Sequence, residues 1–133
     1  MKLQPVMQNG EQQMPSKKSI MTQIDAFSAG EAFLMVNKRM LKAFGAVESL
    51  FLSNLIDKYR YFLTNNRTID GELFYCTNES QTEVLQIGES KLRTIKRKFK
   101  ELGIISIHRI GIPSKEYYSL DLDRLKELLE SSN

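Results

Sequence analysis

The chain is short of the residues that most enzyme chemistry requires. It holds one cysteine, Cys76, and one histidine, His108. A single thiol cannot form an internal disulfide, and it signals no cysteine zinc site. In the context Leu73-Phe74-Tyr75-Cys76 it reads as a half-buried strand residue. There is no HExxH pattern and no glycine-rich phosphate loop, and Asp57, Asp70, Glu72 and Glu83 show no spacing suited to a working carboxylate pair. These absences point away from catalysis: no catalytic residue, no metal site and no cofactor are expected. No apolar run reaches the length of about 18 residues that a membrane span requires. The N-terminal MKLQPVMQNGEQQ lacks the apolar core of a signal peptide, so a cytoplasmic protein without membrane contact is expected.

What is present fits one small domain with tails, since 133 residues at 41% hydrophobic content supply a modest core. The net charge of +3 says little by itself, but its distribution says more. Between Ser90 and Lys115 stand eight basic residues and one acid. From Glu116 onward there are five acids and two bases, and residues 26–89 carry eight acids against six bases. The positive charge is therefore concentrated in one segment.

Residues 1–22, rich in Gln, Asn, Gly, Pro and Ser, read as a flexible arm in which Lys17 and Lys18 are solvated. Gln23 to Val36 admits two readings: a helix broken at Ser28 or Gly30, or a strand or extended segment from Ala32 to Val36 leading into the next helix. The second is preferred. Asn37 is placed to cap a short helix from Lys38 to Phe44, closed by Gly45. Val47, Leu50, Phe51, Leu55, Tyr59 and Phe62 recur at three- and four-residue spacing and predict a long scaffold helix over residues 46–63. A loop ending in Asp70-Gly71 follows, then a short β-prone stretch, Glu72 to Cys76.

The segment from Asn78 to Leu102 reads as a helix-turn-helix. Thr77, Asn78 and Ser80 are alternative caps for its first helix, with Ser80 and Glu83 matching a capping box. Val84 and Leu85 are expected in the core, and Gln81, Thr82 and Glu83 outside it. Gly88 supplies a left-handed turn, with Ile87 plugging the gap between the helices. In the second helix Leu92, Ile95, Phe99 and Leu102 form one face, and Gly103 closes it. Ile104 to Ile110 alternates as a strand, Gly111-Ile112-Pro113-Ser114 is a turn, and Glu116 to Leu120 returns with Tyr117 and Tyr118 on opposite faces. A last helix over residues 123–130, capped by Asp121 or Asp123, carries Leu122, Leu125, Leu128 and Leu129 as its apolar side and serves packing or dimerisation.

A basic helix between a capped helix and a hairpin is more specific than a charge run, and it points to nucleic acid. Its N-terminal half suits a major groove. Lys91, Thr94 and Lys98 share the face opposite the apolar stripe, and Arg97 flanks it, so with Ser90 these are the candidate groove contacts. Arg93, Lys96 and Lys100 are candidate phosphate contacts or solubility charges. Arg109 and Lys115 flank the hairpin tip and are candidates for the backbone or a minor groove. His108 is expected at an exposed edge without a role.

On these residues, TNESQTEVLQIGESKLRTIKRKFKELGIISIHRIGIPSKEYYSLDLDRL resembles the winged helix-turn-helix module of bacterial, phage and plasmid proteins, including DnaD-like replication initiators and replisome organisers as well as small transcriptional regulators. The shared features are the IGES turn, the KFKELGII junction and a hairpin closing in K-x-Y-Y-x-L. The resemblance implies an α+β fold, mainly helical, with a two- to three-stranded β-wing and a C-terminal helix. Its parts are a helix-turn-helix over residues 78–102, a wing over 104–120 and a domain spanning 23–133. Ile87, Leu92, Ile95, Leu102 and Ile104 would be core. The expected partner is double-stranded DNA, bound with sequence preference in replication or transcription, with a homodimer and a replication or transcription protein as further partners. The alternative is a winged-helix adaptor that binds protein and holds DNA only weakly.

Overall fold

The computed structural model describes residue 14, residues 16–28 and residues 33–131. These fall into two units, divided between Phe33 and Leu34. In the first unit, helix α1 spans Lys17–Ser28. The Ser16 hydroxyl accepts a hydrogen bond from the Ser19 amide at 3.1 Å, which serves the first turn. Ile20 and Ile24 stand one turn apart, and no Gly or Pro interrupts the stretch. The flexible arm expected through Thr22 is thus helical from Lys17, and the boundary expected after Thr22 falls inside α1. Of the rest of that arm only residues 14 and 16 are described, and Gly30 and Ala32 lie outside the described residues.

The second unit begins with an irregular lead-in. Leu34 to Val36 has no regular secondary structure and pairs with no strand of the sheet. Asn37 caps α2 (Lys38–Phe44): its side-chain oxygen accepts from the amides of Arg39 and Met40. Gly45, at φ 94°, separates α2 from α3 (Ala46–Thr64), which carries the core residues Phe51, Leu52 and Leu55. Asp70 and Gly71 both take positive φ, 54° and 75°, and Gly71 makes the second of these inexpensive. The chain then enters β1 (Phe74–Tyr75).

Helix α4 (Asn78–Leu85) is capped by Thr77, whose hydroxyl accepts from the Ser80 amide at 2.9 Å. The capping box expected from Ser80 and Glu83 does not set its start. Val84 is exposed and Gln81 is fully buried, the reverse of expectation. The reason is helical spacing: Gln81 sits one turn before the buried Leu85 and so shares its face. Its buried amide donates to the Tyr118 hydroxyl at 2.9 Å. Nor is Gly88 the left-handed residue of the turn. Gln86 takes that conformation (φ 54°, ψ 48°), while Gly88 is extended and serves as the N-cap of α5 (Glu89–Glu101).

Strands β2 (Ile105–Ile110) and β3 (Lys115–Leu120) form the expected hairpin, and β1 pairs on the other side of β3, giving the antiparallel order β1-β3-β2. Helix α6 (Leu122–Ser131) starts where Asp121 accepts from the Arg124 amide at 2.9 Å. Its Leu125 is buried, Leu128 and Leu129 pack against the core, and Leu122 is exposed. Arg124 donates to the Leu102 carbonyl at 2.9 Å, tying α6 to the open C-terminus of α5.

The core lies where α3, α5 and the sheet meet. Phe99 stacks on Phe51 at 5.7 Å and meets Phe44 edge-on at 5.2 Å. Leu92 and Ile95 extend this wall. Leu92→Ala is expected to cost about 2–5 kcal/mol, the range for truncating a buried leucine. Urea unfolding measures it, and a wild-type midpoint would contradict the burial.

Cys76 is buried, and burial pushes its thiol from the usual 9.0 up to about 11, against the opposing pull of Lys58 and Lys96. A folded-state value above the unfolded one means that the folded chain holds this proton more tightly. The contribution is complete below pH 9 and is lost as pH rises through 11. Stability should therefore fall by about 2–3 kcal/mol across that window from this group. Melting series on the wild type and Cys76→Ala test this: the variant should show a shallower alkaline decline, whatever its offset at neutral pH.

Candidate nucleic-acid interface

Two apolar spacings decide which way the basic residues of α5 point. Leu92, Ile95 and Phe99 are buried, with Leu102 beneath them at the helix end. Ser90, Lys91, Thr94, Arg97 and Lys98 are all exposed on the remaining surface, as are Arg93 and Lys100. The Thr94 hydroxyl donates to the Ser90 carbonyl at 3.1 Å, so it is already engaged within the helix. Lys91, Arg93, Arg97, Lys98 and Lys100 form no ion pair with a described residue.

Lys96 differs from the other cations of α5. Expected at a phosphate or as a solubility charge, it is buried instead. Its ammonium donates to Glu116 Oε1 at 2.9 Å and Asn78 Oδ1 at 2.8 Å and lies 5.5 Å from the centre of the Tyr118 ring. Burial alone would lower its pKa, but the Tyr118 phenol and the Glu116 carboxylate outweigh this and raise it. Lys96 therefore stays charged and serves as a tie between α4, α5 and β3. The sequence held a signal for this: Lys96 stands four residues after Leu92 and three before Phe99, on the core side of the helix.

The wing residues also divide. In β2 and β3, Arg109 is in register with Glu116, and its guanidinium reaches Glu116 Oε2 at 3.2 Å. Both lie on the sheet face turned toward α5. Lys115, one residue before Glu116, belongs to the opposite face, and its ammonium sits 4.9 Å from the centre of the Tyr75 ring. Arg109 and Lys115 both flank the hairpin tip, and the two-residue alternation of the strand puts them on opposite faces of the sheet.

A groove of about 500 Å³ runs between α5 and the inner face of the wing. Arg93, Arg97 and Lys100 line one wall, and Ile107 and Arg109 line the other. Lys96 and Glu116 close its floor, so the one carboxylate among its lining residues is held between two cations. The result is a concave cationic surface continuous with the exposed face of α5. Such a surface attracts a polyanion, and guanidinium groups add bidentate hydrogen bonding to phosphates or guanine edges.

Removing half of the buried pair tests its role. Glu116→Gln strands the Lys96 charge and should cost about 2 kcal/mol. Lys96→Met leaves Glu116 with Arg109 and should cost less, since an apolar replacement removes the buried charge itself. Equal losses in a denaturant series would contradict this ordering.

No family model matches the chain, and no curated protein matches it. Solved structures do. The chain is similar to one described as the structure of a Rep–DNA complex, with TM-score 0.57, 21% identity, and coverage of 74% of this chain and 79% of that one. It is also similar to the N-terminal domain of a DNA-binding protein, with TM-score 0.56, 18% identity and coverage of 92% and 97%. A third is the structure of an MDR initiator, with TM-score 0.52, 17% identity and coverage of 91% and 99%. With the β1-β3-β2 sheet behind the α4–α5 pair, these likenesses show that the fold is a winged helix.

Proposed function

We propose that the chain is a double-stranded DNA-binding protein of replication initiation, acting by binding and not by catalysis. The observation that carries this reading is the groove walled by Arg93, Arg97, Lys100 and Arg109, with its single carboxylate neutralised. The N-terminal half of α5 enters the major groove, where an α-helix fits. Lys91, Thr94, Arg97 and Lys98 face base edges, with Ser90 at the helix start. Arg93, Lys100 and Arg109 hold the adjacent backbone. Lys96 makes no phosphate contact, since its charge is used internally. The replication role is supported by the two neighbours named for a Rep protein and an initiator.

Much of the affinity comes from displaced counterions, so it falls steeply with salt. A single module makes a small interface, so sequence preference is sharpened by a second copy on an adjacent half-site. Selection of bound duplexes from a random library, at low and at moderate salt, tests the reading. A defined motif surviving moderate salt is expected, and a two-fold symmetric motif would show paired copies. Enrichment of nothing would leave only charge-driven affinity. On the selected duplex, Arg97→Ala and Lys98→Ala should each weaken binding by about 5- to 150-fold, the range for losing one base contact, with melting unchanged. Wild-type affinity in both would remove this face of α5 from the interface.

A further inference from the structure

The wing has a second face that the duplex interface does not use. Alternation along the strands places Phe74, Glu116, Tyr118 and Arg109 toward the helices and sends their neighbours the other way. On that outer face Tyr75 of β1 is in register with Tyr117 of β3, and Tyr117 with His108 of β2, so three ring side chains form one row across the sheet. Tyr75 and Tyr117 are half-buried, and His108 is exposed. The two tyrosine rings are 5.8 Å apart, and Phe62 of α3 lies 6.5 Å from Tyr75.

Cations lie over Tyr75 in this row and over the neighbouring Phe62. Lys115 lies over Tyr75 at 4.9 Å, and the Arg67 guanidinium lies over Phe62 at 5.9 Å. Beside Tyr75 opens a cavity of about 210 Å³ whose lining includes Lys58, Phe62, Arg67 and Ser80 and contains no acidic residue. Acids gather elsewhere: Glu72, Asp121 and Asp123 flank the Ser106–Ser119 end of the sheet. Positive charge and ring surface therefore coincide at one end of the face, and negative charge occupies the other.

We propose that this outer face binds single-stranded DNA. Unpaired bases stack on Tyr75 and Tyr117, one entering the cavity beside Phe62, while Lys58, Arg67 and Lys115 turn from the rings to the phosphates. Ring faces interleaved with cations suit a strand whose bases are unstacked, because every base offers a π-face whatever the sequence. A duplex hides those faces and would use the cations alone. A protein-binding core tends to exclude charge, whereas here the cations sit on the rings themselves. The choice of DNA over RNA rests on the duplex reading above; the stacking surface does not.

The test is binding of a labelled oligothymidylate to the whole chain by fluorescence anisotropy, with the selected duplex measured in parallel. Tyr75→Leu and Arg67→Ala should each weaken oligothymidylate binding by about tenfold, as expected for losing one stacked base or its support. Tyr75→Phe should retain it, and all three should leave duplex affinity unchanged. Arg97→Ala should do the reverse. If Tyr75→Leu fails to fold, the exposed Arg67 and Lys115 carry the comparison as alanine variants. Absence of oligothymidylate binding at low salt overturns the proposal and leaves the face to a protein partner. Equal binding of an abasic oligomer overturns it in favour of plain phosphate attraction. Tighter binding of oligouridylate overturns the assignment to DNA. Oligothymidylate binding without duplex binding would defeat the duplex reading and leave this face standing.

Discussion

Lys96 holds its ammonium where three elements meet, and it ties α5 to both α4 and the wing. The charge is shared between Asn78 at the start of α4 and Glu116 in β3, with the Tyr118 ring alongside. Tyr118 is in turn held by Gln81 of α4. One small polar network thus fixes the helix pair relative to the wing, a task that apolar packing does with less directional precision. Such networks are costly when partly satisfied. This one keeps a remaining cost, since Gln81 Oε1 has no partner among the described residues.

The same network shapes the electrostatics of the surface. Glu116 would place a negative charge inside the groove that α5 and the wing form. Paired with Lys96 below and Arg109 beside it, that charge is neutralised. Arg93, Arg97 and Lys100 then face no unpaired carboxylate among the residues that line the groove. A structural ion pair thus also sets the charge of the groove above it: without the buried lysine, Arg109 alone would offset the Glu116 carboxylate there.

The wing owes its two faces to elementary strand geometry. Successive residues point to opposite sides, so neighbours in sequence serve different surfaces. Glu116 and Tyr118 join the core and the groove, while Lys115 and Tyr117 stand behind them with Tyr75 and His108. The expectation that Tyr117 and Tyr118 face opposite ways is met, and the same rule separates Lys115 from Arg109. Closeness to a hairpin tip groups residues that the register then divides.

Local physics in the sequence alone determined most of the elements. The three- and four-residue spacing of α3 and α5, the Asn37 cap, the Asp70-Gly71 turn and the alternation of β2 and β3 are all short-range signals, and they produce the elements they predict. So does the exposure of Ser90, Lys91, Thr94, Arg97 and Lys98, which follows from the apolar stripe on the other side of the same helix. The helix over Lys17–Ser28 was obscured by a polar, low-periodicity composition. What only the tertiary structure decided is the use of particular polar groups. Lys96 meets Asn78 and Glu116 from 18 and 20 residues away, and Gln81 meets Tyr118 from 37. Local spacing can put a lysine or a glutamine on the inner side of a helix, but the partner that makes its burial tolerable comes from another element, and only the folded chain brings the two together.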